Sequence, residues 1–208
     1  MKKIVNLSIF LLTAVALLSG CAHMALSEKE KASIQSVSIN KHVEKPDSLS
    51  FEFYQKSVAS WRQAIAGGIS GGIFKSSTEH TLRRIWNRAF IDIEKIVMEE
   101  LENRLKSRGL FDSILPSGGD AEFTIRIISY GFYSKKADSK FLQPALSVEG
   151  KLIKSDGTIL WKSIESSGSF FSQLPSYNLK DFEESPELMR GAINLVAERI
   201  IGNLIDKL

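Results

Sequence analysis

The first 20 residues and the single cysteine that follows them constrain this chain more than any other feature. Residues 1–3 carry two lysines, Ile4 to Leu18 is apolar, and small residues stand directly before Cys21. This layout is typical of a secretory signal segment, which is removed from the mature protein. The apolar run is short for a membrane-spanning helix, which takes about 20 residues. We therefore expect residues 1–20 to be a signal peptide.

The sequence Leu18-Ser19-Gly20-Cys21 resembles the lipobox of bacterial lipoproteins. The resemblance implies cleavage between Gly20 and Cys21, a diacylglycerol on the Cys21 thiol and an acyl chain, such as palmitate, on the new amine. An ordinary cleaved signal would not need the cysteine. Because each buried CH₂ contributes about 0.8 kcal/mol, we expect three chains to hold the protein on a membrane permanently. Apart from this covalent lipid, we expect no cofactor.

The residue after the cysteine is Ala22 rather than Asp. In the sorting of enteric-type lipoproteins, the class that the lipobox resembles, this favours the outer membrane over the inner one. The resemblance therefore implies an exported protein, anchored by lipid in the outer membrane and facing the periplasm.

Removal of the signal leaves 188 of the 208 residues, enough for one domain with its own core. The mature chain carries 25 Lys and Arg against 24 Asp and Glu, so its charge gives no reason to expect nucleic-acid binding. With Cys21 lipidated, no thiol remains for a disulfide or a metal site. The core alone must then stabilise the exported domain.

We divide the mature chain into a polar linker over residues 21–32 and a single domain over residues 33–208. A strong helical pattern runs over about 77–108, where Ser76 and Glu79 have capping-box spacing and Gly109 suits a left-handed cap. On its polar side, two Glu and basic pairs have i,i+4 spacing: Glu100 with Arg104, and Glu102 with Lys106.

Alternating apolar residues predict strands near Val37 and Ile39, over 110–115, over 121–133 and over 145–154, with a hairpin return over 158–166. Ser155-Asp156-Gly157 is the hairpin turn, and Ile159 and Trp161 are expected on one face. A final helix over about 186–207 begins with Ser185 as N-cap and Pro186 at its first position, and its apolar stripe includes Leu188. This order predicts an α+β fold, a two-layer sandwich with a mostly antiparallel sheet of about four or five strands and two helices on one face.

The residues give no support for an enzyme. Gly68-Ile69-Ser70-Gly71-Gly72 matches the G-x-S-x-G pattern of a nucleophile elbow, but His80 is the only histidine that follows and no Asp stands between them. Glu99, Glu100 and Glu102 are more simply a solvated helix face than a metal cluster, and no metal-ligand spacing is present. We therefore expect no catalytic residues and no metal.

Residues 57–74 are rich in small and apolar residues and carry only one charge. The four-residue spacing of the glycines would let an apolar helix approach a partner helix or the bilayer closely. The candidate contact residues are Trp61, Gly67, Gly68, Gly71, Gly72, Ile73 and Phe74. We favour a glycine-rich connection partly folded over the core, because each glycine weakens a helix by about 1 kcal/mol.

The element order and the Lys154-Ser155-Asp156-Gly157-Thr158-Ile159-Leu160-Trp161 hairpin are similar to those of small envelope lipoproteins with a fold like the N-terminal domain of the translocation protein TolB. Those proteins include the curli secretion lipoprotein, an outer-membrane activator of peptidoglycan synthases and auxiliary lipoproteins of lipid transporters. The resemblance covers residues 33–208 as architecture, and no binding residue carries over from it.

We therefore expect a non-enzymatic accessory or assembly factor in envelope biogenesis, secretion or transport, with an unidentified envelope protein as its partner. Its contact surfaces would be a sheet edge and the aromatic side chains Phe170, Phe171, Tyr177 and Phe182, although capping of the core is the simpler interpretation of these aromatics. Two alternatives stay open: a carrier of a lipid or another apolar ligand, and an oligomeric outer-membrane secretion component that inserts residues 57–74. The sequence does not determine the oligomeric state.

Overall fold

The structure, a computed structural model, describes residues 24–53, 77–134 and 140–208. The expected signal peptide, Cys21 and the glycine segment 57–74 lie outside the described residues.

The helices and strands alternate irregularly along the described chain. The helices are α1 (Glu28–Ser33), α2 (Ser77–Arg88), α3 (Ile93–Arg108), α4 (Leu179–Glu184) and α5 (Pro186–Ile205), with a 3-10 segment over Ser167–Gln173. The strands are β1 (Ser36–Ile39), β2 (Ser50–Phe53), β3 (Ser113–Leu115), β4 (Ala121–Ser134), β5 (Phe141–Lys154), β6 (Ile159–Ser166) and β7 (Tyr177–Asn178).

The strands form a mixed sheet with the order β3-β1-β4-β5-β6, in which β2 also pairs with β4 and β7 also pairs with β5. The pairs β1–β3, β1–β4 and β2–β4 are parallel, whereas β4, β5 and β6 form an antiparallel meander. The described residues thus contain seven strands, more than the four or five expected. The long pairings of β5 with β4 and β6 are antiparallel, as expected, whereas the short strands β1 and β2 pair in parallel, which the sequence analysis did not predict. The chain leaves β2 and returns to β3 and β4 through α2 and α3, and a helical crossover of this kind permits parallel pairing.

The helix expected over 77–108 is two helices. The first ends at Arg88, and the second begins at Ile93 with Asp92 as its N-cap, whose side chain accepts a hydrogen bond from Lys95 N at 3.0 Å. The apolar residues Ala89, Ile91 and Ile93 are buried on both sides of the break. Because the buried stripe continues through the break, the apolar pattern alone does not reveal it.

The end of α3 agrees with its sequence. Gly109 has the left-handed conformation, with φ of 57°. Arg104 pairs with Glu100 at 2.7 Å and Lys106 with Glu102 at 3.6 Å, so the expected i,i+4 pairs are confirmed. Ser76, the expected cap at the start of the helix predicted over 77–108, lies outside the described residues.

Helix α5 packs its apolar face against β5 and β6. Trp161 is fully buried between the sheet and the end of α5, and its Nε1 donates a hydrogen bond to Lys207 O at 3.0 Å. Gly150 lets the helix approach, since a Cβ there would lie 2.9 Å from Leu204 Cδ2 and 2.9 Å from Trp161 Cζ3. The buried side chains of α5 are Met189, Ala192, Ile193, Val196, Ala197, Ile200, Ile201, Leu204 and Ile205.

Two expectations about side-chain placement were wrong: Leu188 was expected in the buried stripe of α5, and Ile159 was expected on the same face as Trp161. Leu188, in the first turn of α5, is 37% exposed, and Ile159 is 39% exposed. At Ile159 the pairing of β5 with β6 shifts register between Leu152 and Ile153, so Trp161 faces the helix while Ile159 does not. An alternation pattern cannot reveal a bulge of this kind, because the bulge inserts one residue without changing residue types.

The mixed α and β composition of the expected α+β fold is thus present. The arrangement of both long helices as one layer on one face of the sheet stays a prediction.

The close approach at Gly150 has a testable consequence. We expect Gly150→Ala to lower the free energy of unfolding by about 1–3 kcal/mol, since the new methyl group must displace an indole that is held by its own hydrogen bond. Gly191→Ala is the matched control. Gly191 lies in the same α5, with open space around a Cβ, and alanine there should raise the free energy of unfolding by up to about 1 kcal/mol. Urea unfolding of both variants measures the difference, and equal effects would contradict the packing.

Candidate functional site

The structure shows how the first described residues of the chain attach to the domain. Gly20, Cys21 and the candidate contact residues between Trp61 and Phe74 lie outside the described residues. The first described residue is Met24, three positions after the cysteine. The way Met24 is held therefore decides how closely the predicted lipid on Cys21 would be coupled to the domain.

Met24 is hydrogen-bonded to the outer edge of β6. Its N–H donates to Lys162 O at 2.7 Å, and Lys162 N–H donates to Met24 O at 3.1 Å, which makes an antiparallel bridge. Leu26 is buried, and Ser27 forms a capping box with Glu30 at the start of α1. Residues 24–32, the larger part of the predicted linker, are thus attached to the domain.

A charged cluster lies on the sheet beside this bridge. Gly150 faces α5, so its neighbours Glu149 and Lys151 point to the opposite face of the sheet. The Glu149 side chain is only 2% exposed, and its Oε1 lies 3.0 Å from Lys151 Nζ. Its Oε2 lies 2.9 Å from Lys162 Nζ, and Arg126 Nη2 is 3.3 Å from Oε1. The residue that pairs with Met24 thus also binds the buried carboxylate.

The cations decide the protonation of Glu149. Burial raises the pKa of this carboxyl. Hydrogen bonds from Lys162 and Lys151 and the charge of Arg126 lower the pKa by more than burial raises it, so the pKa of Glu149 lies below its ordinary value of 4.5. The carboxylate is therefore charged at neutral pH. It holds three basic side chains from three adjacent strands together.

The break between α2 and α3 presents an aromatic side chain to solvent. Ile91 N–H donates to Trp86 O and Phe90 N–H donates to Asn87 O, which is the Schellman pattern that ends a helix. The left-handed position of this motif is normally glycine, but here Phe90 occupies it with φ of 50° and is 85% exposed. A left-handed conformation costs a residue with a Cβ roughly 1–2 kcal/mol. Neither backbone preference nor burial explains a phenylalanine at this position.

Met24 and Phe90 lie toward opposite ends of α5. The C-terminal end of α5 meets the sheet where Lys207 O accepts from Trp161, next to Lys162 and Met24. At the other end, Arg190 donates a hydrogen bond to Ala89 O, next to Phe90. A helix of 20 residues spans about 30 Å. The N-terminal attachment and the exposed aromatic are therefore well separated.

The aromatic side chains expected as contact surfaces belong to the core. Phe171 stacks on Tyr133 with ring centroids 4.4 Å apart, and Phe182 packs on Phe132 at 5.3 Å. Phe170, Phe171 and Phe182 are buried, and Tyr177 packs against Phe182. The simpler interpretation, that these residues cap the core, is correct.

The side chains considered for chemistry are scattered. His42 is exposed in the loop after β1, and His80 is exposed on α2. Glu99, Glu100 and Glu102 each pair with a base on α3, as expected of a solvated helix face. Within residues 24–53, 77–134 and 140–208, no group of acidic, histidine or cysteine side chains could hold a metal ion. Ser70 lies outside the described residues.

The sequence reasoning missed Phe90 and Glu149. A signal for Phe90 was present, since Asp92 is a residue type that favours N-caps and stands inside the apolar stripe. No local signal identifies Glu149, because its cations come from neighbouring strands. In the part of the chain that the structure describes, no helix has both the length and the apolar character that a membrane span requires.

The cluster around Glu149 predicts a pH-dependent stability. Because the folded-state pKa of Glu149 is lowered, its contribution is present above 4.5 and is lost as the pH falls through the folded-state value. We expect Glu149→Gln to lower the free energy of unfolding by about 2 kcal/mol at neutral pH and by less in acid, where the wild-type carboxyl is protonated too. Urea unfolding at both pH values measures this.

Glu184→Gln is the control for that experiment. Glu184 is exposed and, among the described residues, its ion pair is with Lys180, one turn away. Its removal should change stability by no more than about 0.5 kcal/mol. A Glu149→Gln variant as stable as this control at neutral pH would contradict the role of the cluster.

No protein-family model matches this chain, and no curated protein matches it. Among solved structures, protein XCC0632 from Xanthomonas campestris is similar, with 9% identity, a TM-score of 0.46 and coverage of 82% of this chain and 81% of that chain. A minor lipoprotein from Acinetobacter baumannii has 11% identity, a TM-score of 0.39 and coverage of 83% and 93%. PelC from Paraburkholderia phytofirmans, a dodecamer, has 12% identity, a TM-score of 0.35 and coverage of 84% and 88%. Similarities this low carry no argument about function, so the proposals below depend on the residues of this chain.

Proposed function

We propose that this protein is a lipid-anchored, periplasm-facing lipoprotein of the outer membrane that acts as a non-enzymatic accessory or assembly factor in the cell envelope. Three acyl chains on Cys21 hold it on the bilayer, and the domain recruits an envelope protein. The observation that carries the anchoring is the Leu18-Ser19-Gly20-Cys21 sequence at the end of a signal-like segment. The observation that carries the recruitment is the exposed Phe90.

Phe90 has the properties of a binding anchor. Aromatic residues dominate the energetics of protein interfaces, because they bury a large apolar area with few rotatable bonds. Phe90 is 85% exposed and occupies a backbone conformation that glycine would adopt without strain. Backbone strain of this kind is concentrated at functional sites. A role in binding accounts for both features at once.

The position of Phe90 suits a tethered adaptor. It lies toward the end of α5 that is remote from Met24, so a partner could reach it without displacing the N-terminal attachment. Anchoring raises the effective concentration of the domain near other envelope proteins. A modest contact centred on one aromatic side chain is then sufficient for binding.

The anchoring is tested at the cysteine. We expect Cys21→Ser to abolish incorporation of radioactive palmitate and to change the size of the product, because the thiol that accepts the lipid is gone. Ala22→Gly, which keeps the thiol, should be labelled like the wild type. Cell fractionation and gel mobility complete the measurement. A serine variant that still carries palmitate and remains on the membrane at wild-type size would overturn the proposal.

The recruitment is tested at Phe90. We expect Phe90→Gly to raise the free energy of unfolding by up to about 1 kcal/mol, since glycine adopts the left-handed conformation without strain. The same variant should lose the adducts that a photo-crosslinking residue at the exposed position Arg88 forms in intact cells. Leu195→Ser, which removes another exposed apolar side chain on α5, should keep these adducts. A more stable Phe90→Gly protein with unchanged adducts would show that Phe90 does not bind a partner.

A further inference from the structure

The chain between the proposed lipid and the folded domain is very short. Only Ala22 and His23 stand between Cys21 and Met24, and Met24 is already hydrogen-bonded to β6. An extended chain advances at most about 3.5 Å per residue, so three residues span about 10 Å at most. A lipid on Cys21 therefore cannot lie far from the outer edge of β6.

We infer that the β6 edge, defined by Met24, Ile159 and Lys162 together with Lys151 beside it, lies against the lipid headgroups of the bilayer that holds Cys21. The inference rests on the proposed acylation of Cys21 and goes beyond it. A lipid anchor on a long linker would leave the domain free to rotate, whereas this tether gives it one orientation. Phe90 then faces away from the membrane.

The side chains at this edge suit a headgroup layer. Met24 is 44% exposed and Ile159 is 39% exposed, so both offer apolar surface at the boundary of the bilayer. Lys162 and Lys151 each bind Glu149 with their ammonium groups, and the side chains of both lysines are about one-third exposed. Each ammonium carries three donors, so further donors remain for lipid phosphates. Lysines of this kind extend their charge to the membrane surface while their stems stay on the protein.

The orientation is measured with the lipidated full-length protein in vesicles of phosphatidylethanolamine and phosphatidylglycerol. Because the acylated Cys21 is the only native cysteine, one introduced cysteine takes a fluorophore at a single place. Ile159→Cys reports on the β6 edge, and Leu188→Cys reports on the first turn of α5. The native side chains at these two positions are 39% and 37% exposed, so the positions are matched in solvent access.

A nitroxide on the lipid headgroup quenches fluorophores that lie close to it. We expect quenching at position 159 to exceed that at position 188 several-fold. Insertion of a Gly-Ser linker of about 20 residues between His23 and Met24 should abolish the difference, because a flexible chain of that length spans about 25 Å and lets the domain rotate. Equal quenching at the two positions without the insertion, or stronger quenching at position 188, would overturn the inference.

Flotation of the vesicles separates this result from the anchoring itself. Protein that fails to float with the vesicles refutes the proposed acylation. Protein that floats but is quenched equally at both positions refutes only the orientation.

Discussion

The packing of α5 against the antiparallel meander is the interaction on which the rest of the structure depends. Phe123, Leu152 and Trp161 lie in one row across β4, β5 and β6, and the apolar face of α5 is buried on this side of the sheet. Gly150 allows the close approach, and the hydrogen bond from Trp161 to Lys207 O joins β6 to the residues that follow α5. Burial of large apolar side chains is the main stabilising contribution in a domain that has no disulfide to constrain it. The same helix contacts the break between α2 and α3 through Arg190. Its length therefore also separates the N-terminal attachment at Met24 from the exposed Phe90.

The opposite face of the sheet is organised by charge. A single buried carboxylate, Glu149, binds Arg126, Lys151 and Lys162 from three adjacent strands. A buried ion pair often adds little net stability, because desolvation offsets the attraction, but a shift of register would leave this charge buried and unpaired. We infer that the cluster maintains the alignment of the strands. It thereby also maintains Lys162 at the position where the N-terminal segment is attached.

These two faces together account for the proposed function. The proposed membrane attachment would emerge at the β6 edge, beside the charged cluster, whereas the exposed Phe90 lies toward the far end of α5. A short tether would restrict the orientation of the domain, so that a residue far from the β6 edge always faces away from the bilayer. An adaptor that always presents the same end to the periplasm needs only a small binding surface there.

The sequence by itself determined the features that depend on neighbouring residues. These are the cap at Gly109, the turn at Ser155-Asp156-Gly157, the ion pairs on α3 and the start of α5 at Pro186, because turn chemistry and i,i+4 spacing act within a few residues. Only the tertiary structure decided the parallel pairing of β1, the burial of Glu149 and the attachment of Met24 to Lys162. Each of these depends on groups that are remote in sequence. Contacts between distant segments depend on how the whole chain packs, and no local pattern of residue types encodes them.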